Sequence, residues 1–501
     1  MREWLARARG EGPGLALMFA LTLATRLPFL GHPAADFDEQ LYSLIGQRMR
    51  LGAIPYVDLW DRKPPGLFAL FWLAHAIGGD GPAAYQGLGL LACLGGALCV
   101  WRLARRMTGP GTAAFASGLY PLLMALYGSE SGQSEVFFTP LLAGMALLLV
   151  RAEEAAHARR ALQLCLVAMA MGGLVLQVKY TALAQCLFFG LAALVVLHRR
   201  GWRARRLAGA AGLFAVLGVL PTLLAWLVFM RLGAGDAFVF ANFVSITRRA
   251  ALPLSFTLRA QLLFALPLLL LAAGGALLRH ERLAGRARAL WLVAAGWLAA
   301  GLAGLFMGST LYTYYYAALV PSVILVALPM FDPRGALGGV TLAAALAGLL
   351  VVFDPPGHVA ASRSERATLG RMVRLLAPQV GARRHCLFVF DGPVALYRLA
   401  GSGLPTRFIY PDHLDNRLEE HALPVSPESE VARILAARPG AIVTTRDAIT
   451  LRNRATDAEV TAALHRSYRL LATFDFQDRR LALYARTADA DGRAPDCAPR
   501  G

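Results

Sequence analysis

Long apolar runs recur along this chain from Leu15 to Phe353. Many are long enough to cross the roughly 30 Å hydrocarbon core of a bilayer as helices. With 57% of its 501 residues hydrophobic and a mean hydropathy of +0.50, the chain reads as an α-helical polytopic membrane protein. We place about eleven spans by this criterion, at 12–31, 84–104, 112–127, 136–150, 161–178, 181–198, 207–230, 259–278, 289–307, 314–331 and 335–353. The first lacks a small-residue cleavage site and reads as an anchor. Residues 66–78 are apolar but short, and read as a surface or re-entrant helix.

Loop charge orients the bundle. With the N-terminus inside, the inner loops hold Arg2, Arg7, Arg9, Arg102, Arg105, Arg106, Arg151, Arg159, Arg160, the arginines of 199–206 and 279–288, and Arg334. That is roughly 19 cations, against roughly 8 in the outer loops before the tail. An odd number of spans then places the tail outside, together with residues 36–63, 128–135, Lys179, 231–257 and 308–313. The working face is therefore expected outside the cytoplasm, at a cell (inner) membrane crossed many times. The net charge of +18 serves topology and contact with membrane lipids, and no nucleic-acid motif is present.

The most distinctive polar stretch is residues 36–66, DFDEQLYSLIGQRMRLGAIPYVDLWDRKPPG. It opens on Asp36, Asp38 and Glu39 and closes on Asp61, Arg62 and Lys63 before Pro64-Pro65. Between them, Leu41, Leu44, Ile45 and Met49 share one helical face, with Gln40, Ser43, Gln47 and Arg50 on others. This predicts a helix lying flat at the membrane surface. Asp36 and Glu39 have capping-box spacing, so a capped helix without chemistry also accounts for them. Of the 50 Lys and Arg residues, only Lys63 and Lys179 are lysines. Two lysines in a chain that otherwise uses arginine point to sites wanting a compact ammonium.

Cys93, Cys99, Cys165 and Cys186 sit in apolar runs as packing residues, whereas Cys386 and Cys497 fall in the polar tail and can pair if it is extracytoplasmic. His280, His358 and His385 show no ligand spacing. The expected division is a transmembrane unit at 1–353 with a first outer loop at 32–83, a small α/β extracytoplasmic domain at 354–487, and a disordered tail at 488–501. Within the second unit, 361–378, 427–438 and 456–466 read as helices. HCLFVF, AIVTT and the pair YRLLATF and RLALYAR read as strands.

Asp38-Glu39 with Tyr42, Gly52 with Pro55-Tyr56, and Lys63-Pro64-Pro65 together resemble the membrane-embedded GT-C glycosyltransferases of family 39. That group includes protein O-mannosyltransferases and the aminoarabinose transferase of lipid A. Ser134-Glu135 and Val178-Lys179 are further echoes, and the resemblance covers about 350 residues. It implies an inverting enzyme that takes a sugar from a polyprenyl-phosphate-linked donor and gives it to an acceptor glycan, lipid or protein. It also implies that Asp38 is the base or orienting carboxylate. Glu39 is its neighbour, about 100° away around the helix, and Glu135 is a candidate second acid or a helix cap. Lys63 is the leading candidate for the donor phosphate, with Arg62, Lys179 and Arg26 secondary; headgroup contact accounts equally for Lys179 and Arg26. Tyr42, Tyr56 and Tyr314 are candidate substrate-lining residues, although the run from Tyr312 to Tyr316 also fits an aromatic belt. Arg62 stands where some relatives carry an acid, and a phosphate leaving group needs no metal, so neither metal nor cofactor is expected.

The competing class is a transporter or flippase of lipid-linked saccharides. It would call for ionisable groups deep in the spans and paired broken helices. Here the acids lie in loops, and no internal repeat is visible. A third reading is a non-catalytic assembly or sensor protein.

Overall fold

The computed structural model describes residues 2–278, 283–307, 312–331, 336–381 and 386–487. Cys497, the segment 488–501 and parts of the loops at 279–288, 308–313 and 334 lie outside the described residues. The first part of the chain is helical: α1 (Arg2–Arg26), α2 (Phe37–Met49), α3 (Pro65–Gly78), α4 (Pro82–Ala104), α5 (Pro110–Leu126), α6 (Ser134–Glu154), α7 (Ala158–Leu176), α8 (Leu183–Arg199) and α9 (Ala204–Arg231). The short helices α10 (Gly235–Val239) and α11 (Ser245–Arg248) follow, joined by a π-helical turn at Phe240–Val244. Then come α12 (Leu254–Leu278), α13 (Gly285–Leu305), α14 (Val320–Ala327) within a helical stretch Thr313–Phe331, and α15 (Ala336–Phe353).

Each expected span falls on one of these helices. The span expected at 12–31 ends as helix at Arg26, two residues before Pro28, which cannot donate to the helical ladder. Among the described residues, eight helical stretches are long and apolar enough to cross a membrane. α1, α5 and α12 fall outside that group: α1 opens on charged residues, α5 has 17 residues, and the apolar part of α12 is Leu262–Leu277. α3, at 14 residues, is short, as its sequence implied.

α2 differs from its expected setting. Residues Glu39 to Gln47 are all buried, so the helix is enclosed by protein and does not lie on lipid. Its apolar side seats on α3, where Gly46 allows backbone contact: a Cβ there would lie 2.8 Å from Trp72 N. Its polar side is covered too, and burial demands partners. Gln40 accepts from Ala395 N at 3.0 Å, Ser43 bonds His75 at 3.1 Å, and Gln47 donates to Asp80 O at 2.8 Å. The amphipathic pattern showed which residues share a face but not that protein covers both faces.

The rest of the chain forms α16 (Pro355–Leu376), β1 (Leu387–Val389), α17 (Ala395–Leu399), α18 (Pro411–Asp415), α19 (Pro427–Ala436), β2 (Ala441–Thr445), α20 (Arg454–Ser467), β3 (Tyr468–Phe476) and β4 (Arg479–Arg486). The sheet order is β1-β2-β4-β3, with β1 parallel to β2 and the other pairs antiparallel. The β3–β4 turn uses Gln477 and Asp478, both at positive φ, as tight hairpins require. Trp60 of the first loop is 1% exposed and completes the core of this region beside Phe408 and Val431. Its backbone N–H donates to Arg407 O at 2.9 Å. The two parts of the chain are thus plugged together through the first loop.

Candidate functional site

A cavity of about 580 Å³ opens where the first loop, the α7–α8 junction, residues 242–249, the tyrosines of 312–315 and the α/β region meet. Residues 36–63, Lys179 and 231–257 were expected on one face by charge alone, and residues from each line this one cavity.

Asp38 projects into it from the first turn of α2. The helix starts there because Asp36 caps it, its Oδ1 accepting from Asp38 N at 2.9 Å and Glu39 N at 3.1 Å. Both Asp38 oxygens are held. Tyr410 donates to Oδ1 at 2.8 Å; Tyr42 and Gln133 donate to Oδ2 at 3.0 and 3.2 Å; and Lys63 Nζ stands 3.7 Å from Oδ2. Burial works to raise the pKa of Asp38, but the Lys63 charge and the three hydrogen bonds outweigh it and hold the carboxyl below its ordinary value. Asp36 goes the other way: burial, then the charges of Asp38, Glu39 and Glu130, push it well up. Of the two neighbouring carboxyls, Asp38 is therefore the one whose surroundings favour the charged form.

Lys63 is placed by the residues after it. Pro64 and Pro65 restrict the backbone, and Gly66 packs on the end of α7, where a Cβ would lie 2.5 Å from Gln177 Cβ. Tyr56, at φ +72°, is 1% exposed and donates to Lys63 O at 2.8 Å. Burial opposes the charge of Lys63, but Asp38, Tyr315 and Asp61 more than restore it, raising its pKa. Lys179 also lines the cavity, ion-paired with buried Glu135, its Nζ 3.8 Å from the Tyr315 ring centre.

A third charged group joins the two parts of the chain. Glu419, 1% exposed, accepts from Arg62 and from Arg249 Nε, the latter at 2.5 Å. Burial would raise the Glu419 pKa; the two guanidiniums overcome it and bring it down to about 2.

Asp38, Lys63, Arg62, Lys179, Tyr42 and Tyr314 therefore all line the cavity. Glu39, Tyr56 and Arg26 are not among its lining residues. Glu39 points away into the protein, accepting from Tyr85, Gln86 and Gly132 N, so it does not complete a capping box. Tyr56 braces the Lys63 backbone. Arg26, at the end of α1, is 4% exposed and reaches Ser131 O at 3.4 Å. Glu135 lines a small adjoining pocket beside Lys179, and Arg62 is engaged by Glu419. Sequence reasoning missed Arg249, Tyr410, His413 and Glu419. The polar run Tyr410-Pro411-Asp412-His413 was the available signal, but nothing local in it pointed back to Asp38. Among the described residues, no group of three His, Cys, Asp or Glu side chains is arranged to hold a metal ion.

Comparison with solved structures places this architecture. ArnT from Cupriavidus metallidurans bound to undecaprenyl phosphate superposes with a TM-score of 0.63 at 16% identity, covering 95% of this chain and 99% of that one. The chain has the ArnT fold. ArnT in the apo state gives 0.62 at 14% identity, over 94% and 97% of the two chains. The archaeal oligosaccharyltransferase AglB from Archaeoglobus fulgidus, in complex with an inhibitory peptide and a dolichol-phosphate, gives 0.50 at 13% identity, over 88% and 70%. Residues 62–226 match the family described as dolichyl-phosphate-mannose-protein mannosyltransferase. That segment begins one residue before Lys63 and leaves out α2 and the α/β region. No curated protein matches the sequence.

Proposed function

We propose that the chain is an integral-membrane inverting glycosyltransferase, moving a hexosyl or pentosyl group from a polyprenyl-phosphate carrier to a glycan, lipid or protein on the extracytoplasmic face. The observation that carries this reading is the ionised, fully held Asp38 carboxylate in the cavity wall, 3.7 Å from the Lys63 ammonium. The acceptor hydroxyl attacks the anomeric carbon from the face opposite the phosphate. The carbon–oxygen bond to phosphate breaks, and the bare lipid phosphate leaves. Asp38 orients the attacking hydroxyl and takes its proton. A weakly basic carboxylate suffices where the proton departs late, as in oxocarbenium-like transition states. Lys63 offers charge to the leaving phosphate, and Leu176, Leu183 and Met307 give the cavity an apolar flank suited to a prenyl chain. The likeness to ArnT, solved with undecaprenyl phosphate, supports the same donor class. The division at residue 353 and the outward tail are part of the proposal, and a disulfide-bonded Cys386 fits an oxidising compartment. Alkaline phosphatase fused after Asp354 is expected to be active and after Gly201 silent; the reverse pattern would put the site on the wrong face.

Lys63 gives the direct test. Lys63→Ala is expected to weaken carrier-phosphate binding by about ten- to hundredfold, the loss of one charge-assisted hydrogen bond. Because Lys63 helps hold Asp38 ionised, the acid limb of the pH–rate profile should move to higher pH in that variant. Lys63→Arg keeps the charge but not the compact shape, and should turn over well below wild type. Carrier binding and turnover measured in the same nanodiscs check both. Normal behaviour of Lys63→Ala would remove Lys63 from the site.

A further inference from the structure

The side chains around Asp38 and Glu419 are largely satisfied by one another, yet the same cavity wall holds polar atoms that no protein group meets. Among the described residues, buried atoms without a hydrogen-bond partner include Asp61 Oδ2, Asn242 Oδ1, His413 Nδ1 and Arg62 Nε, all on cavity-lining residues. Asp61, Asn242 and His413 are 6%, 5% and 4% exposed, so bulk water does not readily satisfy them. Leaving such atoms unpaired is costly, and native proteins rarely do so without a reason.

Asp61, Asn242 and His413 all line this one cavity. Trp60, next to Asp61, meets the His413 ring edge-on with centres 4.7 Å apart. Asn242 sits in the π-helical turn Phe240–Val244, a form of helix that often marks functional positions. Its amide nitrogen is committed to Phe238 O at 2.9 Å, which leaves the carbonyl oxygen over. Burial, then the charge of Arg62, takes the His413 pKa down to about 3, so its ring is neutral at pH 7.

The chemistry of the set distinguishes between ligands. Burial pushes Asp61 up to about 6, so at pH 7 it is mostly a carboxylate; a carboxylate and an amide oxygen only accept, Arg62 Nε only donates, and imidazole can do either. The phosphodiester of a loaded carrier has no proton to offer Asp61 or Asn242. Hydroxyl groups donate and accept, so a polyhydroxylated ring answers the whole set. We propose that Asp61, Asn242 and His413 form the subsite that reads the hydroxyl groups of the sugar on the lipid phosphate. This rests on the glycosyltransferase reading and adds where the sugar lies and which side chains select it. The first loop, the π-helical turn and the α/β region each contribute one reader, so exchanging Asn242 or His413 retunes sugar choice without touching the phosphate.

The test compares two ligands on one protein. Full-length wild type, Asp61→Asn, Asn242→Leu and His413→Phe in nanodiscs are titrated with bare undecaprenyl phosphate and with undecaprenyl-phosphate glucose, mannose, galactose and aminoarabinose. For the glycoside that wild type binds most tightly, each variant should bind about three- to tenfold more weakly, the worth of one hydrogen bond. Bare carrier should bind Asn242→Leu and His413→Phe as it binds wild type, which also reports that the fold is intact; Asp61→Asn, which also takes a supporting charge from Lys63, should lose more for the loaded carrier than for the bare one. Equal losses for bare and loaded carrier would overturn the subsite, as would no loss for either. A wild type that binds neither form would overturn the glycosyltransferase reading, and the subsite with it.

Discussion

Asp38→Asn abolishes measurable transfer, a fall of about 10²–10⁴-fold, while leaving the fold and carrier binding in place. The amide keeps the shape, and its single oxygen still accepts from one of Tyr410 and Tyr42, but it loses the charge that orients the acceptor and the lone pair that takes its proton. The neighbouring carboxyl is the control. Burial and like charges push Asp36 up, and its visible task is to cap α2. Asparagine caps nearly as well, so Asp36→Asn should cost about 1 kcal/mol of local stability or less and keep most activity. Initial rates at saturating donor decide between them. A dead Asp36→Asn beside an active Asp38→Asn would reverse the assignment.

Glu419→Ala should have the largest structural effect. It leaves the Arg62 and Arg249 guanidiniums facing each other in a buried site without their shared carboxylate. Removing one partner from a buried ionic group costs about 3–5 kcal/mol. The α/β region should loosen from the helices, and with it Tyr410 from Asp38. Trypsin should then cut after arginines of this region many times faster than in wild type, and turnover should fall in parallel. The same group sets an acid limit. The Glu419 pKa is depressed in the folded protein, so its contribution is complete above the ordinary glutamate range and is lost as pH falls toward about 2. Docking should therefore be indifferent to pH between about 5 and 8 as far as Glu419 is concerned. Wild-type resistance to trypsin in Glu419→Ala would show that Trp60 and its apolar neighbours suffice to hold the region.

These two residues also show what a single sequence can reveal. Asp38 and Lys63 stood out because a local pattern announces them: a capped, acid-rich helix start and a lysine before two prolines. The helices and strands were legible for the same reason, since apolar run length and alternation are local properties. Even β2 falls on its expected residues, Ala441–Thr445. Glu419 and Tyr410 were not legible. Their roles are set by partners 357 and 372 residues away, Arg62 and Asp38, and no local rule encodes such a pairing. Glu39 misled for a related reason. Its place beside Asp38 drew attention, but a helix turns adjacent residues about 100° apart, and that rotation sends Glu39 to Tyr85 and Gln86. The enclosure of α2 escaped notice because a polar helical face covered by protein has the same sequence as one facing water.

The central claim is that Asp38 transfers a sugar away from a lipid phosphate, and release of the bare carrier measures it most directly. Purified wild type and Asp38→Asn in nanodiscs are given undecaprenyl-phosphate sugars labelled in the lipid, with an envelope extract supplying acceptors, and the lipid products are separated. Wild type should convert at least one loaded carrier to labelled undecaprenyl phosphate, and Asp38→Asn should bind that carrier yet leave it loaded. Equal conversion by the two proteins, or loaded carrier that crosses the bilayer of a vesicle without losing its sugar, would contradict the account.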